Sequence, residues 1–176
     1  MLERRSALAT AAPFSWAALT LGEVRGFTLT QVCGFSKAFE APVAEVAGNL
    51  PESNHLAIES QGRLIFRIGP RSFWFVGPDG DGLDSQLAGR AVITPLSNSR
   101  TRISVAGRVA RQVLAKGIPL DLDKTSFGPG RFAMTGLHHT PILLHCVSPE
   151  RFELYAMRTY ALNIWEWLED AALEFK

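Results

Sequence analysis

An α+β fold built from two similar halves is what the sequence predicts, and three observations carry that prediction. Short stretches of strand character, several with the two-residue alternation of a half-buried strand, outnumber helical ones and are punctuated by Gly and Pro. The elements follow the order strand, helix, strand, strand, strand, helix, and then repeat it. Short matches also recur at corresponding places: Val32-Cys33-Gly34 answers Val105-Ala106-Gly107, and Gly69-Pro70-Arg71-Ser72-Phe73 answers Ser148-Pro149-Glu150-Arg151-Phe152. The halves are expected at residues 1–96, with a leading arm, and 97–176, fused into one compact unit.

In the first half, Leu19–Phe35 reads as one extended stretch, with Phe27, Leu29, Gln31 and Cys33 on one side and Thr28, Thr30 and Val32 on the other. A short helix fits Pro42–Ala47, because proline in the first turn forfeits no hydrogen bond and Gly48-Asn49 stops it. Leu56–Glu59 and Leu64–Ile68 form a hairpin about Gln61-Gly62. Phe73-Trp74-Phe75-Val76 is a third, strongly apolar strand, so Trp74 faces away from its neighbours and is expected under the domain's own helices. A helix at Leu83–Leu87 and a strand at Ala91–Pro95 close this half.

The second half opens on Arg100–Val105, where Thr101, Ile103 and Val105 oppose Arg100, Arg102 and Ser104. A helix at Val109–Ala115 ends on Lys116-Gly117, a cation and then a glycine. Strands at Arg131–Leu137, Ile142–Val147 and Phe152–Ala156 precede a closing helix. On that helix Tyr160, Ala161, Ile164, Trp165, Trp167, Leu168, Ala171 and Ala172 fill an arc of roughly 160°, wider than the roughly 100° a surface helix needs. With Ile164 and Leu168 inward, one of Trp165 and Trp167, at opposite edges of the arc, is expected to be substantially exposed for a partner.

Composition narrows the function. With 47% hydrophobic and 20% charged residues the chain reads as an ordinary globular protein, and a net charge of +1 weighs against a dedicated nucleic-acid binder. Two cysteines, Cys33 and Cys146, make no disulfide framework, and no apolar run approaches the roughly 20 residues of a membrane span. Arg4-Arg5 followed by Ala-rich residues is weakly like a secretion signal, but Pro13 interrupts it, so a loosely ordered arm and a cytoplasmic location are expected.

Catalytic signatures are absent: no Gly-x-Gly-x-x-Gly after a strand, no phosphate-binding loop, no Gly-x-Ser-x-Gly, no His-Glu-x-x-His. Asp79–Asp84 starts like a calcium loop but has Asp84 where glycine belongs and Arg90 at the closing position, so a turn is the reading. His138, His139, His145 and Cys146 are the one cluster with metal-binding residue types. His145 and Cys146 point to opposite strand faces, which favours turn histidines and a core cysteine. From Ser85 to Leu120 there is no acid, while Arg90, Arg100, Arg102, Arg108, Arg111 and Lys116 all fall there. Such a surface is either a solvated face, a docking surface for an acidic partner or ligand tail, or the complement of the acids between Glu150 and Lys176.

Taken in order, several runs resemble the gamma subunit of heterotetrameric sarcosine oxidase. They are Arg5-Ser-Ala-Leu-Ala, Phe27-Thr-Leu-Thr-Gln-Val and Gly69-Pro-Arg-Ser-Phe-Trp-Phe in the first half. Ser99-Arg-Thr-Arg-Ile, Val113-Leu-Ala-Lys-Gly-Ile-Pro-Leu-Asp-Leu, Phe127-Gly-Pro-Gly, Phe152-Glu-Leu-Tyr, Arg158-Thr-Tyr-Ala and Trp165-Glu-Trp-Leu follow. The resemblance implies a fold similar to the folate-binding domain of the glycine-cleavage aminomethyltransferase. It also implies an accessory chain, without catalytic, cofactor or metal residues of its own, in a complex that oxidatively demethylates sarcosine to glycine. The implied partners are alpha and beta subunits, which would hold FAD, FMN, NAD and tetrahydrofolate. Arg100, Arg102, Trp165 and Trp167 are the candidate interface residues. A free-standing folate-binding protein or one-carbon transferase is the rival reading, and a solitary structural domain the third.

Overall fold

The computed structural model describes residues 5–80 and 82–176, without the side chain of Lys37. Among the described residues, eleven strands and four helices run β1 Phe14–Trp16, β2 Leu19–Val24, β3 Phe27–Cys33, α1 Glu40–Ala47, β4 Ile58–Ser60, β5 Arg63–Gly69, β6 Ser72–Pro78, α2 Leu83–Gln86 and β7 Val92–Pro95. Then come β8 Arg100–Ala106, α3 Ala110–Ala115, β9 Phe132–Leu137, β10 Thr140–Ser148, β11 Arg151–Met157 and α4 Ala161–Leu173. Short 3₁₀ turns lead into α1 and α4. Two antiparallel sheets result, in the orders β7-β3-β6-β5-β4 and β2-β8-β11-β10-β9, the latter extended by β1 beside β2.

These orders are the same topology twice, and the details of register agree. Val32 pairs with Phe73 as Val105 pairs with Phe152. The Gly34 N–H donates to the Arg71 carbonyl at 3.2 Å, and the Gly107 N–H to the Glu150 carbonyl at 2.8 Å. The β5–β6 ladder shifts register between Arg67 and Gly69, and the β10–β11 ladder shifts between Cys146 and Ser148. A bulge kept at equivalent positions is a property of the repeated unit rather than a local accident. In each half an arginine lies over the equivalent ring, Arg67 over Phe73 at 4.5 Å and Arg111 over Phe152 at 4.8 Å.

The division into units differs from a single cut at residue 96. One unit comprises residues 25–98 and 130–133, and the other comprises residues 5–24, 99–129 and 134–176. The expected extended stretch Leu19–Phe35 therefore breaks at Arg25-Gly26, where Gly26 has φ 70°, and its two strands enter different sheets. The reason lies in β8. Its first edge is taken by β11, and Thr20–Val24 pair with Ala106–Arg102 along its second edge. The N-terminal arm is correspondingly pinned. Leu8 is buried, Ser6 donates to the Glu23 carboxylate at 2.5 Å, Arg158 donates to the Arg5 carbonyl, and Lys176 sits over the Phe14 ring at 4.9 Å. Arg4 of the signal-like run lies outside the described residues.

In the unit built on β3, one sheet face carries Val32, Ile65, Phe73 and Phe75, which pack with Phe39, Val43 and Ala47 and with Leu83 and Leu87. Each large side chain so buried stabilises the fold by about 1.5–3 kcal/mol. Trp74 is on the opposite face, away from both helices, and is nonetheless buried with its indole N–H donated to Gln31 Oε1 at 3.0 Å. Phe66 shares its face and meets Phe132 edge-on at 4.9 Å. The hairpin at Gln61-Gly62 has φ 50° and 72°, the left-handed pair that matches strand twist. The expected turn at Asp79–Asp84 includes Asp81, which is outside the described residues, and Asp84 accepts a hydrogen bond from Thr30 at 3.2 Å.

In the other unit, α3 lies over the β8–β11–β10 face that holds Phe152 and Cys146, and Arg111 secures the loop Ile118–Gly130. Its guanidinium donates to the carbonyls of Leu122, Phe127 and Pro149 at 2.5, 2.9 and 3.1 Å. That leaves Leu122 and Phe127 buried although they lie in a Pro/Gly/Asp loop.

At Gly107 another stretch of backbone approaches closely. With φ 136°, a Cβ there would lie 2.2 Å from the Ala18 carbonyl oxygen, whereas one on Gly22 meets nothing within 4 Å. We expect Gly107→Ala to lose about 3 kcal/mol of stability and Gly22→Ala to stay within about 0.5 kcal/mol, read from urea midpoints.

Candidate functional site

The sequence-predicted residues fall into two places in the same unit. Arg100 and Arg102 lie on β8, on the sheet face opposite α3. Trp165 and Trp167 lie on α4.

On the β8 face, Glu153 is the central group. It stands in β11 opposite Ser104 on one side and His145 on the other, and only 1% of its surface is exposed. A carboxylate so buried needs compensation, since leaving a charge unpaired away from water costs several kcal/mol. Arg102 supplies it, with Nε at 2.8 Å and Nη2 at 2.6 Å from Oε2, while Arg151 reaches Oε1 at 3.2 Å. The Tyr155 hydroxyl donates to Oε2 at 3.4 Å, and its ring lies 5.4 Å from the Arg102 guanidinium. Burial pushes the Tyr155 hydroxyl well above its ordinary pKa. His145, buried beside this group, has its pKa lowered to about 4, chiefly by burial, with Glu153 opposing and Arg102 adding to the shift.

The charge asymmetry of the sequence is thus largely absorbed within units. Besides Arg102 with Glu153, Lys116 pairs with Glu174 at 2.7 Å and Arg90 with Glu45 at 3.2 Å, and Arg111 is spent on carbonyls. Arg100 is half-buried and donates to Ser99 Oγ at 3.2 Å. Arg108 is exposed. The complementarity read between the basic stretch and the Glu150–Lys176 acids is realised in two of these pairs.

On α4, the apolar arc buries Ala161, Ile164, Trp165, Leu168, Ala171 and Ala172. Trp165 is 5% exposed and donates its indole N–H to Glu169 at 2.9 Å. Trp167 is partly buried, so neither tryptophan stands substantially exposed as expected. Its ring lies over Gly117, where a Cβ would come within 2.5 Å of it. The helix's surplus instead appears at Tyr160 and Leu162, both exposed. Tyr160, Asn163, Ile164 and Trp167, with Leu137, His138 and Thr140, line a shallow groove of about 380 Å³.

The histidine cluster separates. His138 and His139 form the β9–β10 turn with rings 4.1 Å apart and are exposed, while His145 points to the Glu153 face and Cys146 to the other. Burial pushes the Cys146 thiol up, against the pull of Arg111. Among the described residues no three His, Cys, Asp or Glu side chains gather as a metal set.

This repeated antiparallel α+β architecture has a counterpart in part of an aminomethyltransferase. The glycine cleavage system aminomethyltransferase T of Bartonella henselae superposes with a TM-score of 0.64, at 17% identity over 86% of this chain and 45% of that one. At that identity the likeness is one of fold. A more particular one exists. A chain of the heterotetrameric sarcosine oxidase of Corynebacterium sp. U-96, in complex with pyrrole 2-carboxylate, matches with a TM-score of 0.88 at 25% identity, over 98% of this chain and 96% of that one. In sequence, the sarcosine oxidase subunit gamma of an Arthrobacter sp is 27% identical over 146 residues, 80% of this chain and 72% of that protein. No family profile matches the chain. The resemblance to sarcosine oxidase gamma subunits holds in sequence and in fold.

Glu153 and His145 generate two tests. Glu153→Gln keeps the shape but strands Arg102, and we expect a loss of about 3 kcal/mol in urea unfolding. His145 is neutral when folded down to about pH 4 but binds a proton near 6.5 when unfolded. Stability is therefore retained above pH 6.5 and falls as pH drops toward 4, by up to about 3 kcal/mol, and His145→Gln should lack that component.

Proposed function

We propose that this chain is an accessory, non-catalytic gamma subunit of a sarcosine oxidase-type flavoenzyme complex that oxidatively demethylates sarcosine to glycine. One observation carries the reading: the match to a chain of heterotetrameric sarcosine oxidase extends over nearly the full length of both, with the sequence likeness to a gamma subunit running in parallel. The interior of the chain supports the accessory role. Glu153, held by Arg102 and Tyr155 beside His145 and reached from the surface by Arg151, is paired within its unit and too deeply buried to meet a substrate.

In this proposal the partners are alpha and beta subunits, and FAD, FMN, NAD and tetrahydrofolate belong to them. The location is cytoplasmic, a reading supported by two unpaired cysteines; no described helix is long and apolar enough to cross a membrane.

The test is affinity purification of the tagged full-length chain coexpressed with candidate alpha and beta subunits. We expect a yellow complex that oxidises sarcosine, and a colourless protein when the chain is purified alone. Monomeric elution in the presence of the larger subunits overturns the proposal. Tight tetrahydrofolate binding by the chain alone, measured by calorimetric titration, transfers the reading to a free-standing folate-binding protein.

A further inference from the structure

We propose that the outer edge of β7, at Ala91–Ile93, is a docking slot for an extended segment of a partner subunit, which joins the β3-containing sheet as an antiparallel strand. The inference rests on the subunit reading above and names where one contact is made.

The internal repeat identifies the slot. Thr20, Leu21 and Gly22 of β2 pair with Ala106, Val105 and Ser104, and Val92, Ile93 and Thr94 of β7 pair with Cys33, Val32 and Gln31. Since Val32 and Val105 are equivalent, β7 stands in its sheet where β2 stands in the other. The outer edge of β2 is covered by β1, with Phe14 opposite Leu21 and Trp16 opposite Leu19. Among the described residues no strand covers the outer edge of β7.

The backbone there is set to accept one. The Leu96 N–H donates to the Leu29 carbonyl at 2.7 Å, so by the alternation of an antiparallel ladder the Val92 and Thr94 amides face β3. By the same alternation the amide and carbonyl of Ile93 face outward, as those of Leu21 do toward β1, and Ala91, just before the strand, takes the place of Leu19. Pro95 offers no N–H, which ends the ladder at the place equivalent to Glu23, just past the reach of β1. Beside the slot, Phe35 is 88% exposed and Val92 45% exposed. A hollow of about 360 Å³ opens there, lined by Cys33, Phe35, Phe39, Arg90, Ala91 and Val92. The incoming segment is therefore short and extended, with a large apolar side chain for the hollow, as Phe14 and Trp16 are on β1.

A second copy of the chain is a poor occupant. Pairing β7 with β7 engages about three residues a side, far short of the roughly 1,200 Å² that a stable interface buries. A subunit that already contacts the chain elsewhere adds this strand to a larger surface, just as β1 is held by its own chain.

The experiment compares wild type, Phe35→Ser and Val92→Lys, each full-length and coexpressed with the flavoprotein subunits. Both substitutions are at exposed side chains, so melting temperatures of the free chains should match wild type, while a lysine opposes strand addition at an edge. We expect at least tenfold weaker retention of the flavoprotein by each variant. We also expect at least tenfold slower hydrogen exchange of the Ala91 and Ile93 amides in the wild-type complex than in the free chain. If wild type and variants retain the flavoprotein equally and those amides are not slowed, the slot is refuted and the subunit reading survives. If wild type retains no flavoprotein, the subunit reading fails and the slot with it. A free chain that is dimeric, and made monomeric by Val92→Lys, overturns the choice of occupant.

Discussion

The structure depends on one requirement, that the first strand of each half be paired along both edges. β3 and β8 are central strands of antiparallel sheets, and a central strand with one open edge leaves buried amides and carbonyls without partners. In the β3 half the chain meets the requirement by continuing through α2 into β7. In the β8 half the chain runs into α4, and the equivalent position is filled from the N-terminal side by β2. The repeat is thus cyclic: the same series of elements, entered at a different point. That single difference explains why the N-terminal arm is tied down and why Gly107 must let the Ala18 carbonyl approach so closely.

What could be read from the sequence follows from the same physics. Local signals, such as the alternation of Arg100–Val105, the glycine after each leading strand and the Gln61-Gly62 turn, identified most strands, and the repeated segments around Gly69 and Ser148 turned out to hold the same bulge. The break at Arg25-Gly26 was not legible, because strand character is the same on either side and only long-range pairing assigns Leu19–Val24 to β8. Trp74 was correctly placed opposite Phe73 and Phe75, but helices α1 and α2 pack on the phenylalanine face. Glu153 left a signal that pattern reading did not use: a carboxylate flanked by Phe152, Leu154 and Tyr155 in a strand has to find a cation. Which cation depends on the register of β8 against β11, and that places Arg102 two residue pairs away, on the same face.

The Glu153 group also illustrates how a buried ionic cluster acts. Replacing such a cluster by apolar residues is often neutral, so its presence is weak evidence for added stability. Its effect is on register. A slip of one residue between β8 and β11 would turn Glu153 toward Phe152's side of the sheet, into the apolar layer with Leu144 and Cys146. The charge thereby penalises an alternative pairing that the apolar residues alone would tolerate.

The borrowed strand has a consequence for how the protein is made. During synthesis β1 and β2 emerge first, and their partner Ala106 follows only after the whole of the other half. At about 5–20 residues per second that interval is on the order of ten seconds, during which Leu19 and Leu21 lack the sheet that later buries them. The β3 half, apart from the later residues 130–133, emerges without interruption during that interval. Vectorial folding would therefore build the half with the self-contained strand first and leave an N-terminal ribbon waiting for it.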